Sequence, residues 1–329
     1  MTSMIISLIL ALLLDRLFGE PRYAHPLVGF GHLVSWVEKN LNVSTGSTVG
    51  STSVEHPRVR LKSNLQLKQK FYGGLGVLLL TLPPVSLLFY IESRLNSEWR
   101  LILLNGVVLY LAIGARSLVQ HAHQVRDALL NKNIEHARIR TSYLVSRDTA
   151  EMKPQDMARA TIESTLENGS DALFAPLFWF LIAGAPGVLF YRLANTLDAM
   201  WGYKTPRFHH FGWAAARLDD LLNFIPARLT ALSYALTGKF TNAMQCWLAQ
   251  ADQCASPNAG PVMAAGAGAL SLQLGGPAMY HGQLQDRPPL GKGSLPEATD
   301  IDQAINLLHR SLGLWLLILI LVWGGLHLA

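Results

Sequence analysis

The sequence predicts an all-α, polytopic helical membrane protein with amphipathic cytoplasmic helices packed against its bundle. Three observations carry that prediction. Of 329 residues, 50% are hydrophobic and only 15% are charged, against roughly 25% charged in soluble domains. The apolar residues fall in blocks: "GGLGVLLLTLPPVSLLFYI" at 73–91, "LILLNGVVLYLAIG" at 101–114 and "SLGLWLLILILVWGGLHLA" at 311–329. The last carries no Asp, Glu, Lys or Arg over a length that spans a ~30 Å hydrocarbon core. Finally, Lys and Arg are distributed asymmetrically around the first two blocks.

The opening "MTSMIISLILALLLD" lacks a basic start and a small-residue cleavage site, and Asp15, Arg16 and Glu20 follow it closely. It reads as a retained short or interfacial helix rather than a signal peptide. Residues 41–64, rich in Ser, Thr and Gly, read as a flexible cytoplasmic loop. Arg58, Arg60, Lys62, Lys68 and Lys70 precede the first strong span, and Arg116, Arg126, Lys132, Arg138 and Arg140 follow the second. Both flanks are therefore expected in the cytoplasm, with 92–100 outside. A multi-pass protein of the cell (inner) membrane follows, its polar site on the cytoplasmic face. The formal charge of +5 suits anionic inner-leaflet lipid and needs no nucleic acid to explain it.

Residues 115–160 are polar with helical periodicity and predict two or three helices beneath the bundle. Softer apolar stretches lie at 172–193, 225–238 and 260–275, the last rich in Ala and Gly, which suits close helix packing. Residues 275–293, dense in Gly and Pro, read as a long irregular loop. There is no internal repeat and no break, so 1–329 reads as one domain. Cys246 and Cys254 lack zinc-site spacing and read as free thiols.

The chemistry lies in the polar clusters. In a helix over 156–171, Arg159, Glu163, Glu167 and Asp171 recur at four-residue steps along one face. Asn168-Gly169 reads as a helix end or hinge, after which the chain turns apolar. Acids at such a boundary are functional candidates; a solvated face of ion pairs is the plainer alternative. In "RLDDLLN", Arg217, Asp220 and Asn223 share a face, and Asp219 pairs with Asn223. Adjacent aspartates in a poorly polar setting stay ionised only beside a cation or an arginine. Carboxylate and amide oxygens are ligands that Mg²⁺ accepts, with waters and substrate phosphate completing its shell. Between the clusters, Asn195 and Asp198 share a face and Lys204 follows. Upstream, Arg147 and Asp148 offer a phosphate clamp or a structural ion pair. His25, before Pro26, sits in a turn-rich segment where a structural role is the ordinary one. His121, His123, His209 and His210 stand in no metal-ligand pattern and stay unassigned. Walker A, dinucleotide-fingerprint and nucleophile-elbow patterns are absent, so a nucleotide would need an acid- and Mg²⁺-based site.

Together these segments resemble the CobD/CbiB family of membrane-bound cobalamin-biosynthesis proteins, the adenosylcobinamide-phosphate synthases. The resemblance runs in order through "LDRLFGEPRYAHPLVGFG", "SRDT", "ENGSDALFAPLFWF", "NTLDAMWGYK", "RLDDLLNFIPARL" and "SPNAGPVMAAGAGALSLQLGG", weakest at 41–64. Glu20 stands where the family commonly has Asp, Ser146 and Ala172 where it often has Gly, and Ala199 where Ser is frequent. No cluster carboxylate is lost by these departures. The resemblance implies an ATP-dependent acid–amine ligase joining a propionate of adenosylcobyric acid to aminopropanol or its phosphate, with Mg²⁺. Other late cobalamin-pathway proteins and membrane lipid are the implied partners.

The resemblance supplies positions; the roles are inferred from chemistry. Glu163, Glu167, Asp171 and Asp198 are assigned to catalysis, with Glu163 or Glu167 as the base, and Asp219, Asp220 and Asn223 to Mg²⁺. Arg147, Asp148, Asn168, Asn195, Lys204, Arg217, Arg228, Asn258 and His25 are assigned to substrate or phosphate. Two rivals use the same residues differently. An intramembrane Mg²⁺-dependent prenyl or phosphoalcohol transferase would require a lipid diphosphate, and its usual DDxxD spacing is missing. A non-catalytic membrane sensor would tolerate Ala at Glu167, Asp198 and Asp220.

Overall fold

A computed structural model describes residues 2–21, 25–42, 55–280 and 282–328, with side-chain detail omitted at 55–64 and 327–328. Twelve α-helices dominate the described residues. By length and composition, four helical stretches suffice to cross a membrane: Leu65–Arg94, Glu98–Leu130, Pro154–Trp201 and Asp300–Leu326. The first, second and fourth contain the strong spans read from sequence. Of the loop expected at 41–64, residues 43–54 lie outside the described residues. From Glu55 the backbone is already helical, as the start of α3 (Glu55–Arg94).

The N-terminal helix α1 (Thr2–Phe18) packs on α4 (Glu98–Ala112): the Ser7 hydroxyl donates to the Ile102 carbonyl at 3.1 Å. Beyond α4 come α5 (Ala115–Leu130) and α6 (Ile134–Ser142), helices expected from the 115–160 pattern. The carboxylate of Asp15 accepts from the Arg116 backbone N–H at 3.0 Å, so α1 ties down the start of α5. This assigns a structural task to one acid of the "LDR" motif.

The third stretch holds the decisive feature. It comprises α7 (Pro154–Gly169), a π-helical turn (Ser170–Phe174) and α8 (Ala175–Trp201). The α-helix ends at Gly169, where Asn168-Gly169 marks an end, but the chain continues helically into the π turn that holds Asp171. Gly169 permits close approach, because a Cβ there would lie 2.6 Å from a Leu308 methyl and 2.9 Å from the Tyr234 hydroxyl. The real break comes at Ala183 and Gly184, where Gly184 takes φ 62° and the helix loses its geometry. Glycine enters that conformation without a Cβ penalty, and Pro186 follows it. Beyond the break the chain turns back. The Tyr191 hydroxyl lies 3.0 Å from the Asp171 carbonyl, whereas twenty residues of straight helix would separate those positions by about 30 Å. Residues 154–201 are therefore a helical hairpin rather than one span, with arms on either side of 183–184. Asn105 of α4 steadies its tip, its Oδ1 accepting from Ala185 N at 3.1 Å. A backbone group freed by a helix break needs such a partner at membrane depth.

The hairpin packs against α3, α4 and α9 (Trp213–Thr237). Residues 225–238 belong to α9, which is not among the four long apolar stretches. Residues 260–275 contribute α11 (Ala259–Leu270), buried at every position as a core helix. The Gly- and Pro-rich segment at 275–293 is not irregular throughout. Strand β1 (Leu274–Gly275) pairs antiparallel with β4 (Pro289–Leu290), and β2 (Ala278–Tyr280) with β3 (Gln283–Gln285). Its glycines serve as turns: Gly275, Gly276, Gly282 and Gly291 all have positive φ. The chain also includes α10 (Phe240–Gln250) and closes with α12 (Asp300–Leu328). Both cysteines are free.

Candidate active site

The hairpin returns Asp198 to the level of Glu167 and Asp171, and α9 brings Asp219 and Asp220 alongside. These five acids line one cavity of about 590 Å³, with Asn223, Asn258, Lys204 and Arg217 also in its wall. The Asp171 backbone belongs to the π-helical turn, a distortion that concentrates at functional sites. Three acid–amide groupings spread over about 60 residues of sequence thus become one place.

A hydrogen-bond network orders the cavity floor. Asp219 accepts from Asn195 Nδ2 at 3.2 Å on one oxygen and from Asn223 Nδ2 at 3.0 Å on the other. Each amide is oriented in turn. Asn195 Oδ1 accepts from Arg192 at 3.2 Å, and Asn223 Oδ1 lies 3.0 Å from the Tyr191 hydroxyl. Asn223 is therefore spent on holding Asp219: its oxygen faces Tyr191 and not a cation. Burial pushes the Asp219 carboxyl above its ordinary range, with Asp220 adding to the rise, although the two amides oppose it. Asp220 is raised by burial as well, against the pull of Arg217 and Lys204. Among the described residues, no three His, Cys, Asp or Glu side chains form a group able to hold a metal by themselves. Asp219 and Asp220 suit Mg²⁺ differently, as one or two carboxylates completing a shell of water and phosphate.

Several expected site residues have other duties. Glu163 is sealed: Arg147 and Arg287 both pair with Oε2, the latter at 2.9 Å, and Gly275 N donates to Oε1 at 2.7 Å. Its side chain is 1% exposed. Arg147, which also donates to the Tyr280 hydroxyl at 3.0 Å, is thereby committed to protein groups rather than to phosphate. Asp148 accepts from Gly282 N at 2.7 Å and pins the β2–β3 turn. Asn168 donates to Ser164 Oγ at 2.8 Å within its own helix. His25 caps α2 (Pro26–Leu41), its Nδ1 accepting from Leu27 N at 3.2 Å. Arg228 stands just behind the wall, donating to Asn258 Oδ1 at 3.1 Å; Asn258 Nδ2 reaches the Asp220 carbonyl at 2.8 Å.

The sequence reading missed other residues. Lys70, Trp213, Ser256, His209 and His210 line the cavity. Lys70 had been read for topology alone, and the two histidines had no pattern to recommend them. Arg287 was hidden in a segment read as irregular, and no local signal marked it as the partner of Glu163.

Residues 8–308 match the family model described as CobD/Cbib protein. The cobalamin biosynthesis protein CobD of Chromobacterium violaceum is 52% identical over 320 residues, covering 97% of this chain and 94% of that protein. The CobD of Stutzerimonas stutzeri is 50% identical with 98% of both chains covered, and that of Mycobacterium tuberculosis 36% identical with 92% and 90% covered. No solved structure matches. A match of that extent places this protein in the CobD/CbiB family of cobalamin-biosynthesis proteins.

Proposed function

We propose that the protein is an ATP-dependent acid–amine ligase. It joins a propionate carboxyl of adenosylcobyric acid to the amine of aminopropanol or its O-phosphate, giving adenosylcobinamide or its phosphate. The observation that carries this reading is a cavity whose half-buried carboxylates are mostly left without guanidinium partners. Glu167, Asp171, Asp198 and Asp219 form no ion pair among the described residues, and Asp220 has only Arg217 at 3.4 Å. Structural acids are neutralised by the fold, as Glu163 is. Acids left open to a cavity are available to an ammonium substrate and to a phosphate-bound cation.

At neutral pH the carboxylate and the ammonium do not condense. The propionate oxygen attacks the γ- or α-phosphorus of ATP, taking a phosphoryl group with release of ADP or an adenylyl group with release of pyrophosphate, and so becomes part of a leaving group. The amine then attacks the acyl carbon, expelling phosphate or AMP, and its surplus proton must go to a base. Glu167 is the base we favour, since Glu163 is already bound to two arginines. Asp219 and Asp220 would hold Mg²⁺, which would shield phosphate charge; Asn195 and Asn223 orient Asp219; Arg217 and Lys204 attract phosphate at the rim. A cavity of 590 Å³ suits small-molecule groups: a propionate arm and the amine enter while the macrocycle stays at the mouth. The presence of Lys70 in the wall puts the opening at the Lys- and Arg-rich end of the first span, which supports a cytoplasmic site.

The test is turnover by purified protein in detergent with adenosylcobyric acid, either amine, ATP and Mg²⁺, read by mass spectrometry of the corrinoid. An ATP-dependent mass gain equal to the amide is expected. No product from folded protein with either amine would overturn the ligase, and a requirement for a lipid diphosphate would identify a transferase.

A further inference from the structure

We propose that Lys70, His209 and His210 form a phosphate-binding subsite at the mouth of the cavity, taking the phosphate group of a small soluble substrate. This rests on the ligase reading for the identity of that substrate, but not for the site itself. The three residues come from two places. Lys70 is on α3, and the histidines are in the 202–212 turn between α8 and α9. Close backbone contact brings them together: a Cβ on Gly73 would lie 1.9 Å from the Phe211 carbonyl oxygen, so α3 lies directly against the turn. Lys70 Nζ is consequently held 5.2 Å from the centroid of the Trp213 ring, and the His209 and His210 rings meet edge to face at 4.7 Å. All three line the cavity.

Charge makes this cluster a site. Among the described residues none of the three forms an ion pair with a carboxylate, whereas Arg217 at the same mouth is engaged with Asp220. Partial burial, then His209 and Lys70, lower the proton affinity of His210. Lys70 thus stands without a carboxylate partner beside two imidazoles that can donate N–H groups, an arrangement that suits an arriving anion. The cavity thus has a polarity, with half-buried acids in its interior and Lys70, His209 and His210 toward its mouth. The floor repels free phosphate and attracts ammonium, while the rim does the reverse. A phosphorylated aminoalcohol is complementary to both ends at once, and a nucleotide can use the rim through its phosphates. Both bring the same chemistry, a phosphate of roughly −1.5 to −2 charge met by lysine as a point charge.

The experiment uses full-length protein in phosphatidylcholine nanodiscs and the variants Lys70→Met, Lys70→Arg and His210→Gln. Met keeps the stem over Trp213, and Arg restores charge. Michaelis constants are measured for aminopropanol, its phosphate and ATP, together with direct binding of inorganic phosphate by calorimetry. We expect Lys70→Met to raise KM at least tenfold for one phosphate-bearing substrate, with KM for unphosphorylated aminopropanol unmoved and Lys70→Arg closer to wild type. Whether the amine phosphate or ATP is affected tells which substrate the rim reads. Unchanged constants in folded variants would overturn the proposal. So would an effect seen only with phosphatidylglycerol present, which would make the rim a lipid contact. If the wild type does not turn over, weaker phosphate binding by Lys70→Met retains the subsite while the ligase reading falls; equal binding rejects the subsite too.

Discussion

Glu163 and Glu167 stand one helical turn apart on α7 and meet opposite surroundings. Glu163 accepts from two arginines and a backbone amide and ties the β1–β4 segment to the helix. Glu167 lines the cavity beside Asp171 and Asp198, with no guanidinium in ion-pair contact. Helical periodicity places both on one face and makes them look equivalent. What separates them is a set of partners remote in sequence: Arg147 before the helix, and Gly275 and Arg287 more than 100 residues after it. A buried carboxylate reveals its purpose through its partners: surrounded by cations it is a fastening, and left open to a cavity it is available for chemistry.

Four substitutions would break or sharpen that contrast. The largest effect is expected from Glu167→Gln, which should lower kcat by about 10²–10⁴-fold, the range for loss of a general base, while thermal unfolding in detergent stays near wild type. Loss of stability with turnover intact would reverse the two assignments. Glu163→Gln should do the opposite. Leaving Arg147 and Arg287 buried without their anion costs about 3–5 kcal/mol, seen as a lower melting temperature, with turnover per folded molecule retained.

Asn105→Ala comes next. It removes the acceptor of Ala185 N and the amide that donates to Glu92 at 2.9 Å. An unmet buried donor costs about 1–3 kcal/mol, and hydrogen exchange at residues 183–186 should accelerate before exchange elsewhere in the hairpin.

The smallest effect is at Asp220. Its folded pKa is raised, with burial the main cause. The folded state therefore holds the proton more tightly than the unfolded chain, and that stabilisation is lost as pH rises through the folded value. Asp220→Asn should accordingly melt slightly higher than wild type at neutral pH, by under about 1 kcal/mol. The gain should shrink on acidification, even as turnover falls. Equal melting curves at both pH values would show that Asp220 carries no burial cost.

Much of this was legible without coordinates. The apolar blocks, the amphipathic 115–160 region and the acid spacings of 163–171 and 217–223 are local periodicities, and helices follow local periodicity. The acids that line the cavity, Glu167, Asp171, Asp198, Asp219 and Asp220, all fall in those spacings or in the Asn195–Asp198 pair. Misreadings came where a partner was distant or backbone conformation decided the matter. His25, Arg147 and Asn223 were assigned to substrate or metal, with structural roles open for the first two; His25 caps a helix, Arg147 holds Glu163 and Asn223 holds Asp219. Gly184 drew no attention, because one glycine within an apolar run carries no periodic signal.

The sequence by itself determined that this chain is helical, belongs in a membrane, falls in the CobD/CbiB family and carries acids in three clusters. Those properties depend on composition, on side chains three or four residues apart, and on motifs kept in order. The tertiary structure alone decided that residues 154–201 fold back on themselves, that Asp171 and Asp198 thereby share a cavity with Asp219, and that Glu163 is sealed away from it. Two non-helical residues reverse a helix, and guanidiniums from remote segments neutralise a carboxylate; neither leaves a trace in the spacing of its neighbours.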